Sequence, residues 1–303
     1  MLPDRSHIHT ELPNPASQSL DALSIEDAVE LMNAQDAIAV AAVAAQRAAI
    51  TRAVRLVRDA FQAGGRLIYV GAGTSGRLGV LDASECPPTF CSDPAMVVGL
   101  IAGGDHALRH SIEHVEDDAA AGAHAIRELA VSEKDVVLGI AAGGTTPYVH
   151  GALIEAHDRL AKTMFLLCTD PAHVKLPEGV PDLYIPVQTG PEILTGSTRL
   201  KAGTVTKLVL NTITTLAMVQ IGKTYGNLMV DIDATKNAKL LDRGVRIITQ
   251  LTNLDREAAL ALLHAAGGKV KHAIVMHHRK CDIFTAENLL HEAKGKLRAI
   301  IRT

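Results

Sequence analysis

Apolar positions along this chain follow two periodicities. Five short runs are apolar nearly throughout: Arg66–Val70, Val97–Ile101, Val136–Ile140, Thr163–Leu167 and Leu183–Ile185. Between them lie longer stretches in which apolar residues recur at helical spacing. A strand with no polar alternation is buried on both faces, so the pattern predicts a doubly wound α/β domain, a parallel sheet covered by helices on each side. Upstream, Ser24 followed by Ile25-Glu26-Asp27 predicts a helix start. An Ala-rich amphipathic helix then runs from about Gln35 to Ala63, where Gly64-Gly65 closes it. Pro3, Pro13 and Pro15 predict an extended arm to about Asp21. From Leu194 the pattern turns helical, and after Asp233 it is almost wholly so, with Ala265-Ala266-Gly267-Gly268 as an interhelix turn. The predicted organisation is an N-terminal arm and helices (1–55), a sheet domain (56–233) and a small C-terminal helical bundle (234–303).

Composition narrows the function. The chain has 303 residues, 48% of them apolar, and can bury a substantial core. It has no Trp, four Tyr and four Phe, which argues against an aromatic platform for single-stranded nucleic acid. The net charge of −3 hides an asymmetry, because Lys236 onward holds 13 Lys and Arg against 6 Asp and Glu. These basic residues are interleaved with helical apolar positions, which reads as a solvated helical face rather than a nucleic-acid surface. No window of about 18 uninterrupted apolar residues occurs, and Met1-Leu2-Pro3-Asp4-Arg5 lacks a secretory layout, so no membrane partner is expected. Cys86, Cys91, Cys168 and Cys281 show no CxxC spacing and read as free thiols of a reducing, cytoplasmic compartment.

In an open parallel sheet, ligands bind beyond the carboxyl ends of the strands, and three glycine-rich loops fall there. Gly71-Ala72-Gly73-Thr74-Ser75-Gly76 fits the dinucleotide spacing. Two features oppose a dinucleotide: Pro87-Pro88 would break the crossover helix, and no acid ends the next strand, where Ile101 leads into Ala102-Gly103-Gly104. Hydroxyls at Thr74 and Ser75 beside exposed amides suit the terminal oxygens of a monophosphate, and Thr145 and Thr146 in Gly143-Gly144-Thr145-Thr146-Pro147 repeat that chemistry. Together they predict a sugar phosphate, with tight turns capped by hydroxyls as the structural alternative. Ser75 is not a nucleophile-elbow serine, because Arg77 stands where that motif needs glycine. His272, His277, His278 and Cys281 crowd one stretch, but the adjacent His277 and His278 point to different helix faces, so no metal is expected. Two acids stand out. Glu85, in the sparsely charged Asp82-Ala83-Ser84-Glu85-Cys86-Pro87-Pro88, is expected in a partly buried loop, and Glu116 is flanked by Glu113, Asp117 and Asp118. A loop cap and a solvated helix end are the structural alternatives.

These segments resemble the N-acetylmuramic acid 6-phosphate etherases, relatives of the glucokinase regulatory protein. The resemblance is carried by Thr10-Glu11-x-x-Asn14-Pro15, Tyr69 through Gly79, Asp82-Ala83-x-Glu85-Cys86-Pro87-Pro88-Thr89-Phe90, Val98 through Gly104, Glu116-Asp117-Asp118, Gly190 through Thr204 and Tyr225 through Asp231. It implies a sugar isomerase (SIS) fold of flavodoxin type, a homodimer, no metal or other cofactor, and a C-terminal three-helix bundle similar to ubiquitin-associated domains. It also implies cleavage of the D-lactyl ether of N-acetylmuramic acid 6-phosphate, with Glu85 as proton donor and Glu116 as the second catalytic glutamate. On this reading Gly73, Thr74, Ser75 and Gly76 hold the phosphate with Thr145 and Thr146. Ser197, Thr198 and Lys201 add hydroxyls, amides and charge at a helix start, and Arg77 or Arg199 takes the lactyl carboxylate. One departure is visible: family members usually carry serine where this chain has Gly143. A phosphosugar isomerase and a sugar-phosphate-sensing SIS regulator are the alternative functions.

Overall fold

The computed structural model describes residues 8–301, so residues 1–7 of the expected arm, Pro3 among them, lie outside it. The chain divides into two compact units, one through Ser84 with Ala95–Thr214, the other Glu85–Pro94 with Thr215 onward.

The first unit is built on five parallel strands, β1 (Leu67–Gly71), β2 (Val97–Ile101), β3 (Val136–Ile140), β4 (Lys162–Leu167) and β5 (Leu183–Pro186), in the order β2-β1-β3-β4-β5. That order is the flavodoxin-type doubly wound arrangement, whose switch point lies where β1 separates β2 from β3. Each strand coincides within a residue or two with a predicted apolar run, and β1 and β3 are buried along their whole length. Arg66 enters β1 with its guanidinium on buried Asp135, at 2.8 Å from Nη2 to Oδ2, while Asp135 also accepts from the Arg66 and Ser132 amides at 2.9 Å. Burial alone would raise the Asp135 carboxyl, but the bonds from Arg66 and Ser132 outweigh it and hold the group below its ordinary value.

Several elements differ from expectation, each for a local reason. The described part of the arm, from Ile8 onward, is not extended. It coils into short 3-10 turns at His9–Glu11, Pro15–Ser17 and Leu20–Ala22, the second capped by the Asn14 side chain. The Ala-rich stretch is two helices, α1 (Ile25–Ala45) and α2 (Arg47–Gln62), parted at Gln46. Ser24 caps α1 by accepting from the Asp27 amide at 3.1 Å, which places the start where the capping pattern put it. Pro87-Pro88 does not break the crossover helix α3 (Gly73–Phe90). Lying near its end, the prolines cost only the donors that the carbonyls of residues 83 and 84 would use. The remaining helices of this unit are α4 (Ala119–Glu128), α5 (Pro147–Asp158) and the first part of α6 (Lys201–Gln220).

The second unit is helical: α7 (Ala238–Thr252), α8 (Arg256–Ala265), α9 (Val270–Arg279) and α10 (Ile283–Glu292), four helices where the resemblance implied three. Asn237, Asp255 and Asp282 cap α7, α8 and α10. Its core gathers Val230, Ile248, Leu263, Val270, Ile274 and Leu297. Lys271 is buried beneath it with Nζ 3.0 Å from Asp231 Oδ2 and 3.0 Å from the Gly222 carbonyl.

Candidate functional site

A cavity of about 310 Å³ opens at the carboxyl ends of β1 and β3, within the first unit. Its floor is made by the strand ends Ile140 and Ala141. One wall is Ala72 through Ser75, where β1 passes into α3 after a single residue. The helix therefore begins inside the predicted glycine loop, and its first N–H groups have no intrahelical acceptor. With the positive end of the macrodipole, they form an anion site to which Thr74 and Ser75 add hydroxyls. A second wall is Ala142, Gly143, Thr145, Thr146 and Pro147, ahead of α5. Thr146 occupies the N-cap of α5 but makes no side-chain capping bond, so its hydroxyl is not consumed there. His150 secures the same turn with Nε2 at 2.8 Å from the Gly144 carbonyl. Burial holds its imidazole below the ordinary value, so the neutral ring donates this bond from Nε2.

The acidic side of the cavity carries Glu116 and Asp117 from a 3-10 turn, Val115–Asp117, that follows His114 in the left-handed conformation. Asp118 caps α4 immediately after, accepting from Ala121 N at 2.9 Å. Ile8 and Glu11 from the arm, with Gly196 and Thr198, close the remainder. Among the described residues that line it are three carboxylates and no lysine or arginine.

Seven expected site residues thus meet in one cavity: Gly73, Thr74, Ser75, Glu116, Thr145, Thr146 and Thr198. Others are placed differently. Gly76 is a packing residue, because a Cβ there would lie 2.6 Å from Ile101 Cγ1 and 2.7 Å from the Gly71 carbonyl. Only glycine lets α3 seat so closely on β1 and β2. Ser197 is not among the lining residues, and its amide is taken up by a bond to Leu194 O at 2.9 Å. Lys201, 2% exposed, directs Nζ to Gln35 Oε1 at 3.0 Å. Burial lowers its amine below the ordinary value, although Glu192 and Asp36 oppose that shift. The N-terminus of α6 is itself occupied, because the fully buried Glu192 carboxylate accepts from the Lys201 and Ala202 amides, both at 2.9 Å. That carboxylate fills the place where a phosphate would bind the helix end. Its charge, after burial, also helps push the Cys168 thiol up to about 12.

Residues 49–157 match the glucokinase regulatory protein N-terminal SIS domain. The N-acetylmuramic acid 6-phosphate etherase of Gloeobacter violaceus is 55% identical over 296 residues, covering 98% of this chain and 95% of the relative. That of Synechococcus elongatus is 54% identical over 300 residues, covering 99% and 96%. This chain belongs to the N-acetylmuramic acid 6-phosphate etherase family. Its sheet has the fold of a phosphoheptose isomerase from Francisella tularensis, with 17% identity and a TM-score of 0.51 over 65% of this chain and 99% of the other.

For an etherase of this family, the placement of the remaining candidates matters. Glu85 is not in a loop. It stands exposed on α3, and it is not one of the residues lining the cavity. Arg77 is committed elsewhere, donating to the carbonyls of Ala107, Leu108 and His110 at 2.7–3.1 Å. It clamps the segment after β2 and is not free to fork onto a carboxylate, and Arg199 is exposed and outside the lining. Gly143 leaves its wall open, since the atoms nearest to a Cβ there, from Ile8, Thr145 and Thr10, would lie at an ordinary 3.6–3.9 Å. Sequence reasoning missed Ile8 and Glu11 as cavity residues. The Thr10-Glu11 motif was the signal, but nothing in an isolated arm says which surface it folds onto.

Proposed function

We infer that this protein cleaves the D-lactyl ether of N-acetylmuramic acid 6-phosphate, giving N-acetylglucosamine 6-phosphate and D-lactate by elimination followed by hydration. The observation that carries this reading is the 55% identity to an etherase along 98% of the chain. The cavity offers the chemistry such a substrate needs: helix-end amides and hydroxyls for the phosphate, and a carboxylate for proton abstraction.

An alkyl ether is a poor leaving group in direct displacement. Here it lies β to the aldehyde of the open-chain sugar, so loss of the proton on carbon 2 lets the ether oxygen depart. Water then adds to the unsaturated aldehyde at carbon 3. In the proposed assignment Glu116 takes the carbon 2 proton, and its position in the cavity wall supports this role. Glu85 protonates the departing lactyl oxygen. Its assignment rests on the resemblance around Asp82 through Phe90. Each proton transfer is worth about 10²–10⁴-fold in rate. Thr74, Ser75, Thr145 and Thr146 bind the phosphate with the Gly73 amide, and Thr198 adds a hydroxyl. The working form is a homodimer, and α1 supports this: Ile25, Val29 and Met32, at i, i+4 and i+7, form an exposed apolar face that a second copy would cover. The proposed compartment is the cytoplasm.

The test is D-lactate release from purified protein and N-acetylmuramic acid 6-phosphate. Release at enzymatic rates supports the reading. Binding of the sugar phosphate without release would instead make the chain a sensor, and conversion without lactate would make it an isomerase.

A further inference from the structure

The arm places in the cavity a charged side chain that the reaction assigned above does not use. Glu11 ends the His9–Glu11 turn and lines the same cavity as Glu116. Its position is fixed by the turns around it. Glu11 N donates to Ile8 O at 2.9 Å, Thr10 O accepts from Gly196 N at 3.2 Å, Asn14 Nδ2 donates to Pro191 O at 3.1 Å, and Ser17 Oγ donates to Ile193 O at 2.7 Å. Thr10 beside it is fully buried, so the turn is packed down rather than lying loose on the surface. Among the described residues the carboxylate has no hydrogen bond and no ion pair. Gly196, in the left-handed region at φ +74°, leaves the room it occupies, since a Cβ there would come 3.2 Å from Glu11 Oε2.

We propose that Glu11 is a specificity-determining residue of this site, whose carboxylate accepts a hydrogen bond from a neutral O–H or N–H donor of the bound amino sugar. This rests on the sugar-phosphate reading above. A carboxylate only accepts hydrogen bonds, and among the described residues no lysine or arginine lines the cavity to neutralise it. It repels a phosphate and any other anion placed against it, so it suits the uncharged, donor-bearing part of the sugar. The phosphate is thereby confined to the α3 helix end, and the ring is oriented between the two.

The experiment uses the full chain with Glu11→Ala and Glu11→Gln. Losing a hydrogen bond to a charged acceptor raises the KM of the muramic substrate by about 10–150-fold in E11A, and less in E11Q, whose amide oxygen still accepts. Inhibition by inorganic phosphate stays equal or tightens, because a like charge has been removed. That opposite movement separates recognition from damage: an arm that had merely come loose would weaken phosphate as well. Competition by N-acetylglucosamine 6-phosphate and glucose 6-phosphate identifies the donor. Greater weakening of the first points to its amide N–H, and equal weakening points to a hydroxyl. An unchanged KM in E11A, or parallel loss of sugar and phosphate affinity, overturns the proposal. Should the unaltered protein release no lactate, the etherase reading fails, yet calorimetric binding of N-acetylglucosamine 6-phosphate to it and to E11A still decides the part played by Glu11.

Discussion

Glu192→Gln tests how the cavity rim is held. The native carboxylate is fully buried and accepts from two amides at the start of α6, both at 2.9 Å. The amide that replaces it keeps one accepting oxygen and turns an NH₂ donor toward a backbone donor. One charge-assisted bond worth about 1.5–3 kcal/mol is lost, and the orphaned buried amide costs about 1–3 kcal/mol more. The nearly buried Lys201 ammonium also loses the largest attraction that favours its charge. The sum, about 2.5–6 kcal/mol, brackets the usual cost of breaking a buried charged pair, about 3–5 kcal/mol, which is the loss expected here. At roughly 2–4 °C per kcal/mol for a unit of this size, the melting temperature falls by about 6–20 °C. Calorimetry reads the temperature, and urea unfolding reads the free energy. Because Thr198 lines the cavity just ahead of α6, KM should rise while kcat changes less. A variant within about 0.5 kcal/mol of the native protein, the range of inert surface changes, would refute the account of Glu192 as the cap of α6.

Other substitutions address the chemistry and the fold separately. Glu116→Gln should lower kcat by about 10²–10⁴-fold and abolish deuterium exchange at carbon 2, whereas Glu85→Ala should slow ether cleavage and leave some exchange. Loss of exchange in both variants would contradict the division of roles. Thr145→Val should raise KM about tenfold or more through a lost bond to phosphate, and an unchanged KM would remove Thr145 from the phosphate site. Asp135→Asn should cost about 3–5 kcal/mol near neutral pH by removing the counter-charge of Arg66, whose guanidinium keeps the Leu129 and Ala130 carbonyls as neutral acceptors. Because the folded Asp135 carboxyl lies below its unfolded value, its contribution is full above that value, about 3.9, and fades as pH falls toward the lower folded one. The gap between native and variant stability, followed by urea unfolding, should therefore close in acid. A pH-independent gap would refute the assignment.

The sheet was legible in the sequence because its strands are buried on both faces. Continuous apolar runs such as Val136–Ile140 cannot be mistaken for solvent-facing strands, and glycine loops mark where β1, β2 and β3 end. The phosphate wall was legible for the same reason, since strand ends in this topology converge at the switch point. Features set by distant partners were not. Nothing local distinguishes Gly76, which packs under Ile101, from Gly73, which lines the cavity. Lys201 bonds to Gln35 and Glu192 to the start of α6, so the charge that made Lys201 attractive as a phosphate ligand is directed inward. Pro87 and Pro88 misled because a proline pair breaks a helix interior but is tolerated close to a helix end, and the end lay at Phe90. The parting of α1 from α2 at Gln46 fell inside an Ala-rich stretch whose composition is uniform on both sides.

The central claim, that the ether bond is lost by elimination at carbon 3 and not by displacement at the lactyl carbon, is tested most directly with heavy-oxygen water. Running the reaction to partial conversion and measuring the label by mass spectrometry should place solvent oxygen in N-acetylglucosamine 6-phosphate at carbon 3 and leave the hydroxyl oxygen of D-lactate unlabelled. Label in the lactate alone would contradict it.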